Sequence, residues 1–75
     1  MNLKVGQIMY WTRVHPQINI FDLYDLQIRT LYDTYFACVD KRTKQSYVFS
    51  YNDVNKTIFI NRDEALVIIN KLEGK

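Results

Sequence analysis

Several residue types that carry common chemistries are scarce in this chain of 75 residues. It has one cysteine, one histidine and one proline, and its two glycines, Gly6 and Gly74, stand near opposite ends. Cys38 cannot close an intramolecular disulfide, although secreted domains of this size usually carry several. Glycines so far apart also exclude a glycine-rich phosphate-binding loop.

The chain has too few suitable side chains for a metal site or a catalytic site. A zinc site requires three or four ligands, and His15 and Cys38 supply two at best. We expect Cys38, in the middle of a predicted strand, to be a small buried apolar residue. Asp22, Asp25 and Asp33 could gather near one end of the second strand, but carboxylates that flank turns are usually turn formers and solubilising groups. We therefore expect no catalytic residue, no metal, no cofactor and no enzymatic activity.

No apolar run reaches the roughly 18 residues of a membrane span. The first eleven residues also lack an apolar segment of signal-peptide length. We expect a cytosolic protein without membrane association. The formal net charge of +2 and the pI near 8.8 permit nucleic-acid binding without indicating it, because dedicated duplex-binding domains usually have a pI above about 9.

Aromatic residues, in contrast, are abundant, at 15% of the chain. Tyrosine-rich small domains use their rings either to wall a small β core or to bind a partner. The length and the hydrophobic fraction of 48% predict one folded domain over residues 1–75.

The first half of the chain predicts two strands. Residues 4–14 alternate as a strand, with Met9 and Trp11 on one face, and Pro16 ends it. Residues 20–32 are ambiguous. We interpret 24–32 as a strand with Leu26, Ile28 and Thr30 on one face, and we keep a helix over residues 20–27 as the alternative.

The second half predicts a hairpin, a short strand and a helix. A turn at 33–34 leads into strand 35–40, a charged turn at 41–44 and strand 45–51. A turn at 52–55 precedes strand 56–60, in which Ile58 and Ile60 share one face. Asn61 stands three residues before Glu64, which is the spacing of a capping box. The helix that follows runs to about residue 72, with Ala65, Ile68, Ile69 and Leu72 on its apolar face.

Five short strands and a terminal helix predict a mainly β (β+α) fold. We expect a small five-stranded antiparallel barrel of the Src-homology-3-like kind, partly open, with a C-terminal α-helix. An α+β roll is the alternative if residues 20–27 are helical. An exposed edge strand could also support a homodimer.

Two groups of residues are candidates for binding a partner. A basic hairpin tip with tyrosines 35, 47 and 51 behind it could place cations on phosphates and rings under bases, or be only a solvated turn. The tyrosines and tryptophan exceed what one small core needs, so some could form a protein-binding face; cross-strand packing is the alternative. The candidate partner-binding residues are Trp11, Tyr24, Tyr35, Tyr47, Tyr51, Lys41, Arg42 and Lys44.

Two motifs resemble a set of short, mostly uncharacterised proteins of phages and Gram-positive bacteria. Their opening, V-G-[DQ]-x-x-Y, is matched by residues 5–10, and their closing block, D-x-x-K-T-x-F-x-[ST]-x-x-E-A, by residues 53–65, with Asn61 in place of the usual Ser or Thr. The resemblance implies a phage or mobile-element origin, and some small phage proteins inhibit host defence nucleases, including CRISPR effectors. We therefore expect a non-enzymatic module that binds and inhibits a host protein in the host cytoplasm. The alternative is a small barrel that binds single-stranded nucleic acid or RNA.

Overall fold

The computed structural model describes residues 3–74, which form one antiparallel sheet and a terminal helix. The strands are β1 (Ile8–His15), β2 (Ile20–Leu31), β3 (Tyr35–Val39), β4 (Ser46–Ser50) and β5 (Ile58–Phe59), and the helix is α1 (Arg62–Glu73). Short 3-10 helices, Pro16–Ile18 and Tyr51–Asp53, precede β2 and β5. The sheet order is β4-β3-β2-β1-β5, so β5 leaves the meander to pair with β1. The predicted partly open small barrel with a C-terminal helix is confirmed.

The first strand is shorter at its start than the sequence predicts. Residues 5 and 6 form a turn, in which the Gln7 N–H donates to the Lys4 carbonyl over 3.1 Å and Gly6 has a φ of +92°. A positive φ suits glycine because it has no Cβ. The turn therefore brings the chain into the sheet at Ile8, and residues 4–7 lie outside β1.

Residues 20–27 belong to β2, so the helical alternative for this segment is wrong. The register with β1 runs without interruption from His15↔Ile20 to Ile8↔Gln27. This ladder satisfies the backbone groups of the segment. Its leucines are spaced too loosely for a continuous helical stripe, so pairing with β1 decides the conformation.

A β-bulge at residue 29 changes which side chains of β2 face the core. Ile28 pairs with Cys38, but the next pair is Thr30 with Ala37. The extra residue shifts the alternation. Thr30 consequently lies on the face opposite Ile28, contrary to the sequence prediction, and Leu31 takes the core-facing position at the rim.

The main core lies on the concave face of the sheet. Its buried residues come from all five strands and from the segment before β5: Met9, Leu26, Ile28, Phe36, Cys38, Phe49, Val54 and Ile58. The predicted burial of Cys38 is confirmed, because its side chain has no exposed surface. A continuous apolar face of this kind is the dominant stabilising contribution in a chain of this size.

Helix α1 packs on the other face of the sheet, against β1, β2 and β5. Ala65, Ile69 and Phe59 are buried there, outside the main cluster. The predicted apolar stripe ends early, because Leu72 is 53% exposed. Ile60 is 45% exposed because β5 ends at Phe59, so it does not share the buried face of Ile58. No helix in the described part of the chain is both long enough and apolar enough to cross a membrane.

Candidate protein-binding surface

Four of the five candidate aromatic residues pack against the main core. They are Trp11, Tyr24, Tyr47 and Tyr51, and each is partly buried. The Trp11 ring lies 4.9 Å from the Tyr47 ring and 5.5 Å from the Phe49 ring, between centroids. Because β1 and β4 are not neighbours in the sheet, these contacts cross the concave face. The rings therefore hold the sheet in its curled shape.

The Arg13 side chain contacts the edge of this aromatic cluster. The Arg13 Nη1 donates to the Tyr24 Oη over 2.9 Å, and the guanidinium carbon lies 5.9 Å from the centre of the same ring. The hydrogen bond to Tyr24 raises the pKa of Arg13 above its ordinary value. Tyr24 also meets the Trp11 ring edge-on at 5.3 Å. Its hydroxyl and its ring are thus both engaged within the molecule.

The most exposed aromatic side chains lie at the turn between β2 and β3. Tyr32 is 46% exposed and Tyr35 is 40% exposed. Their rings stack with centroids 4.5 Å apart and an angle of 22° between the planes. Leu31, which is 36% exposed, precedes them. Leu31 pairs with Phe36 and lies on the core-facing side, so we call only Tyr32 and Tyr35 the tyrosine tip.

Hydrogen bonds and a ring contact within the molecule support the tyrosine tip. The Tyr51 Oη donates to the Tyr32 carbonyl over 2.6 Å, and the Tyr51 ring packs on Phe36 with centroids 5.4 Å apart. The Tyr32 N–H donates to the Tyr35 carbonyl over 2.9 Å and closes the two-residue turn. These bonds order the backbone beneath the two rings before any partner arrives. The tip is an exposed pair of stacked rings on a hydrogen-bonded turn.

The basic tip, defined as Lys41, Arg42 and Lys44, is exposed at the turn between β3 and β4. Buried Asp40 organises this turn: its Oδ1 accepts from the Arg42 N–H over 2.9 Å, and its carbonyl accepts from the Lys44 N–H over 2.7 Å. The Arg42 Nε lies 3.8 Å from the same carboxylate. Asp40 therefore offsets part of the positive charge of the tip.

The basic tip and two of the tyrosines predicted to lie behind it are at opposite ends of the hairpin. Tyr35 pairs with Ser50 at the far end, and Val39 pairs with Ser46 beside the tip. Four residues of strand separate the two ends, or about 13 Å. Tyr51 follows Ser50, at the same far end. Tyr47 is near the tip, but its ring packs against Trp11 in the core. The predicted arrangement of cations and rings is therefore not formed by Tyr35 and Tyr51.

The remaining candidates for chemistry are dispersed. Burial raises the pKa of Cys38 from 9.0 to about 12, so its thiol is protonated at neutral pH. His15 is exposed at the end of β1. Asp22 and Asp25 lie within β2 and Asp33 lies in the turn beyond its end, and all three are exposed, so they do not gather at one end of the strand. Residues 3–74 contain no group of three His, Cys, Asp or Glu side chains that could hold a metal.

Tyr32 and Leu31 were not among the residues that the sequence singled out. A signal for Tyr32 was present, because the Tyr-x-x-Tyr spacing across a two-residue turn places the two rings beside each other. Leu31 carried no such signal, since its position at the rim depends on the bulge at residue 29. In comparisons with known proteins, no family model, curated protein or solved structure matches this chain.

Proposed function

We propose that this protein is a non-enzymatic binding module that recognises a protein partner through the tyrosine tip. The observation that carries the proposal is the stacked, exposed pair of Tyr32 and Tyr35 above the hydrogen bond from Tyr51. Tyrosine is enriched among residues that dominate binding energy. Rings that are already ordered lose little conformational freedom when a partner covers them.

The resemblance to small phage proteins supports a specific class of partner. In this version the protein occupies a surface of a host protein, most specifically a bacterial defence nuclease of the CRISPR type, and inhibits it in the host cytoplasm. The tyrosine tip supplies the anchor for such an interaction. The polar residues around it, including Asp33 and Thr34 in the turn, supply the solvated rim that binding sites of this kind have.

Binding of single-stranded nucleic acid or RNA is the second candidate function. Its support is the exposed basic tip, together with the half-buried rings of Trp11, Tyr24 and Tyr47 and the rim cation Arg13. Small barrels combine such cations and rings to hold single strands. Of the three half-buried rings, only that of Tyr47 belongs to the same hairpin as the basic tip. The cations and the rings therefore do not form one surface, which is why we favour a protein partner.

The proposal is tested by capture from a lysate of a Gram-positive bacterium, after digestion of its nucleic acid. The immobilised chain is compared with Tyr32→Ala/Tyr35→Ala and with Ile18→Ala/Val67→Ala, which removes apolar side chains that are 67% and 63% exposed elsewhere. We expect the tyrosine variant to lose the captured protein and the control to keep it. For the purified partner, a loss of more than about 2 kcal/mol corresponds to at least roughly a thirtyfold weaker Kd.

Thermal unfolding establishes that both variants remain folded. If the folded tyrosine variant captures the same protein with unchanged Kd, the tyrosine tip is not the binding site. If the protein is captured only when the digestion is omitted, the second candidate function replaces the first.

A further inference from the structure

Strand β4 is an edge of the sheet that is open over most of its length. It ends the order β4-β3-β2-β1-β5, and among the described residues no strand pairs with its outer side. Its five residues include no charge, no proline and no glycine. Val48, at its centre, is 65% exposed. Natural sheets usually protect such an edge with charged side chains, proline or bulges.

The phase of the ladder shows which backbone groups of β4 point outward. The Asp40 N–H donates to the Gln45 carbonyl over 2.9 Å, so residue 45 bonds toward β3. Bonding alternates along an antiparallel strand, so residues 47 and 49 also bond inward and residues 46, 48 and 50 present their groups outward. The Ser50 N–H agrees with this phase, because it donates to the Asp53 Oδ2 over 3.1 Å, outside the sheet.

The sequence of β4 is nearly palindromic about Val48. It reads Ser-Tyr-Val-Phe-Ser over residues 46–50. We propose that β4 pairs antiparallel with β4 of a second copy of this chain, on a two-fold axis at Val48. This register places valine opposite valine, serine opposite serine, and Tyr47 opposite Phe49 of the second copy. Each is a like or aromatic pair that suits a sheet, and no like charges face each other.

The backbone hydrogen bonds of the pair follow from this register. Val48 and its symmetry mate exchange two hydrogen bonds, and each Ser46 N–H reaches the Ser50 carbonyl of the other copy. The Asp53 carboxylate already occupies the Ser50 N–H, so the ladder stops there. A ladder this short makes a reversible dimer with a continuous sheet of ten strands.

Sedimentation equilibrium from micromolar to millimolar concentration tests the pairing, with charge substitutions at the axis. We expect the wild type to dimerise in this range. Val48→Lys places like charges face to face, so we expect it to raise the dimer Kd by about tenfold or more. The matched control is Val67→Lys, at a helix position that is 63% exposed and should leave the dimer unchanged. An equimolar mixture of Val48→Lys and Val48→Glu should restore association.

Each outcome decides the proposal. A wild type that stays monomeric up to millimolar concentration overturns it, and so does a folded Val48→Lys variant that dimerises as the wild type does. A mixture of the Lys and Glu variants that stays monomeric rejects the axis at Val48. Tyr32→Ala should dimerise normally, so failure of the tyrosine tip as a binding site and failure of the β4 pairing are distinguishable.

Discussion

Cys38 shows how the environment of one residue sets its chemistry. Its side chain lies on the concave face of β3 without exposed surface, and loss of hydration raises the pKa of the thiol from 9.0 to about 12. A thiol nucleophile would need the opposite, a nearby cation or base that lowers the pKa. The folded state therefore holds the proton of Cys38 more tightly than the unfolded state does.

This difference predicts a pH dependence of stability. The contribution of the protonated thiol is complete below the unfolded pKa of 9.0 and is lost as the pH rises toward about 12. Urea unfolding of the wild type and Cys38→Ala should give a constant difference in unfolding free energy from about pH 7 to about pH 9, and a shrinking advantage of the wild type at higher pH. Tyrosines titrate in both proteins, so their contribution cancels. A difference that stays constant up to about pH 11 would contradict the assignment.

At the scale of the element, α1 depends on caps at both ends. The Asn61 Oδ1 accepts from the N–H groups of Asp63 and Glu64 over 2.8 and 3.4 Å, and Gly74 ends the helix with a φ of +83°. The reciprocal bond predicted from Glu64 to the Asn61 backbone is absent among the described residues. A complete capping box instead begins the 3-10 helix before β5, between Ser50 and Asp53.

We expect Asn61→Ala to lower the free energy of unfolding by about 0.5–2 kcal/mol, because two N–H groups lose their acceptor. Asn70→Ala is a matched control, with the same substitution at an exposed position inside the same helix. It should be neutral or slightly stabilising, since alanine has the higher helix propensity. Urea unfolding measures both variants. Equal effects of the two substitutions would show that Asn61 does not act as a cap.

For the whole molecule, the balance of charge argues against nucleic acid as the main ligand. Ten Lys and Arg against eight Asp and Glu leave a formal charge of +2. Attraction between a protein and a phosphate backbone grows with the number of phosphates it neutralises. Because the net charge is small, the basic tip would be the main electrostatic contact with a nucleic acid. Asp40 already offsets part of the charge of this tip.

Salt dependence separates the two candidate functions. If the basic tip neutralises about three phosphates of a single strand, a plot of log affinity against log salt should have a slope near −2. Lys41→Ala/Arg42→Ala/Lys44→Ala should then abolish binding, while Lys56→Ala/Arg62→Ala/Lys71→Ala, with the same change of net charge at exposed positions elsewhere, should retain most of it. Our proposal predicts weak binding of labelled single strands by all three proteins. Tight binding with the steep slope, lost only in the tip variant, would reverse our preference.

The sequence by itself determined the local elements of this protein. The hairpin turns at residues 33–34 and 41–44, the cap at Asn61, the helix end at Gly74 and the burial of Cys38 depend on neighbours along the chain or on simple alternation. Such features can be predicted from a single sequence because they depend on few contacts between distant residues. The fold class followed from the number and order of these elements.

The tertiary structure alone decided which side chains are available to a partner. Pairing of β5 with β1 leaves β4 as an open edge, the bulge at residue 29 turns Leu31 toward the rim, and the curl of the sheet brings Trp11 onto Tyr47. Each depends on contacts between residues far apart in the chain. Exposure of a ring is set by what lies across the sheet from it, so alternation alone could not distinguish the core tyrosines from Tyr32 and Tyr35.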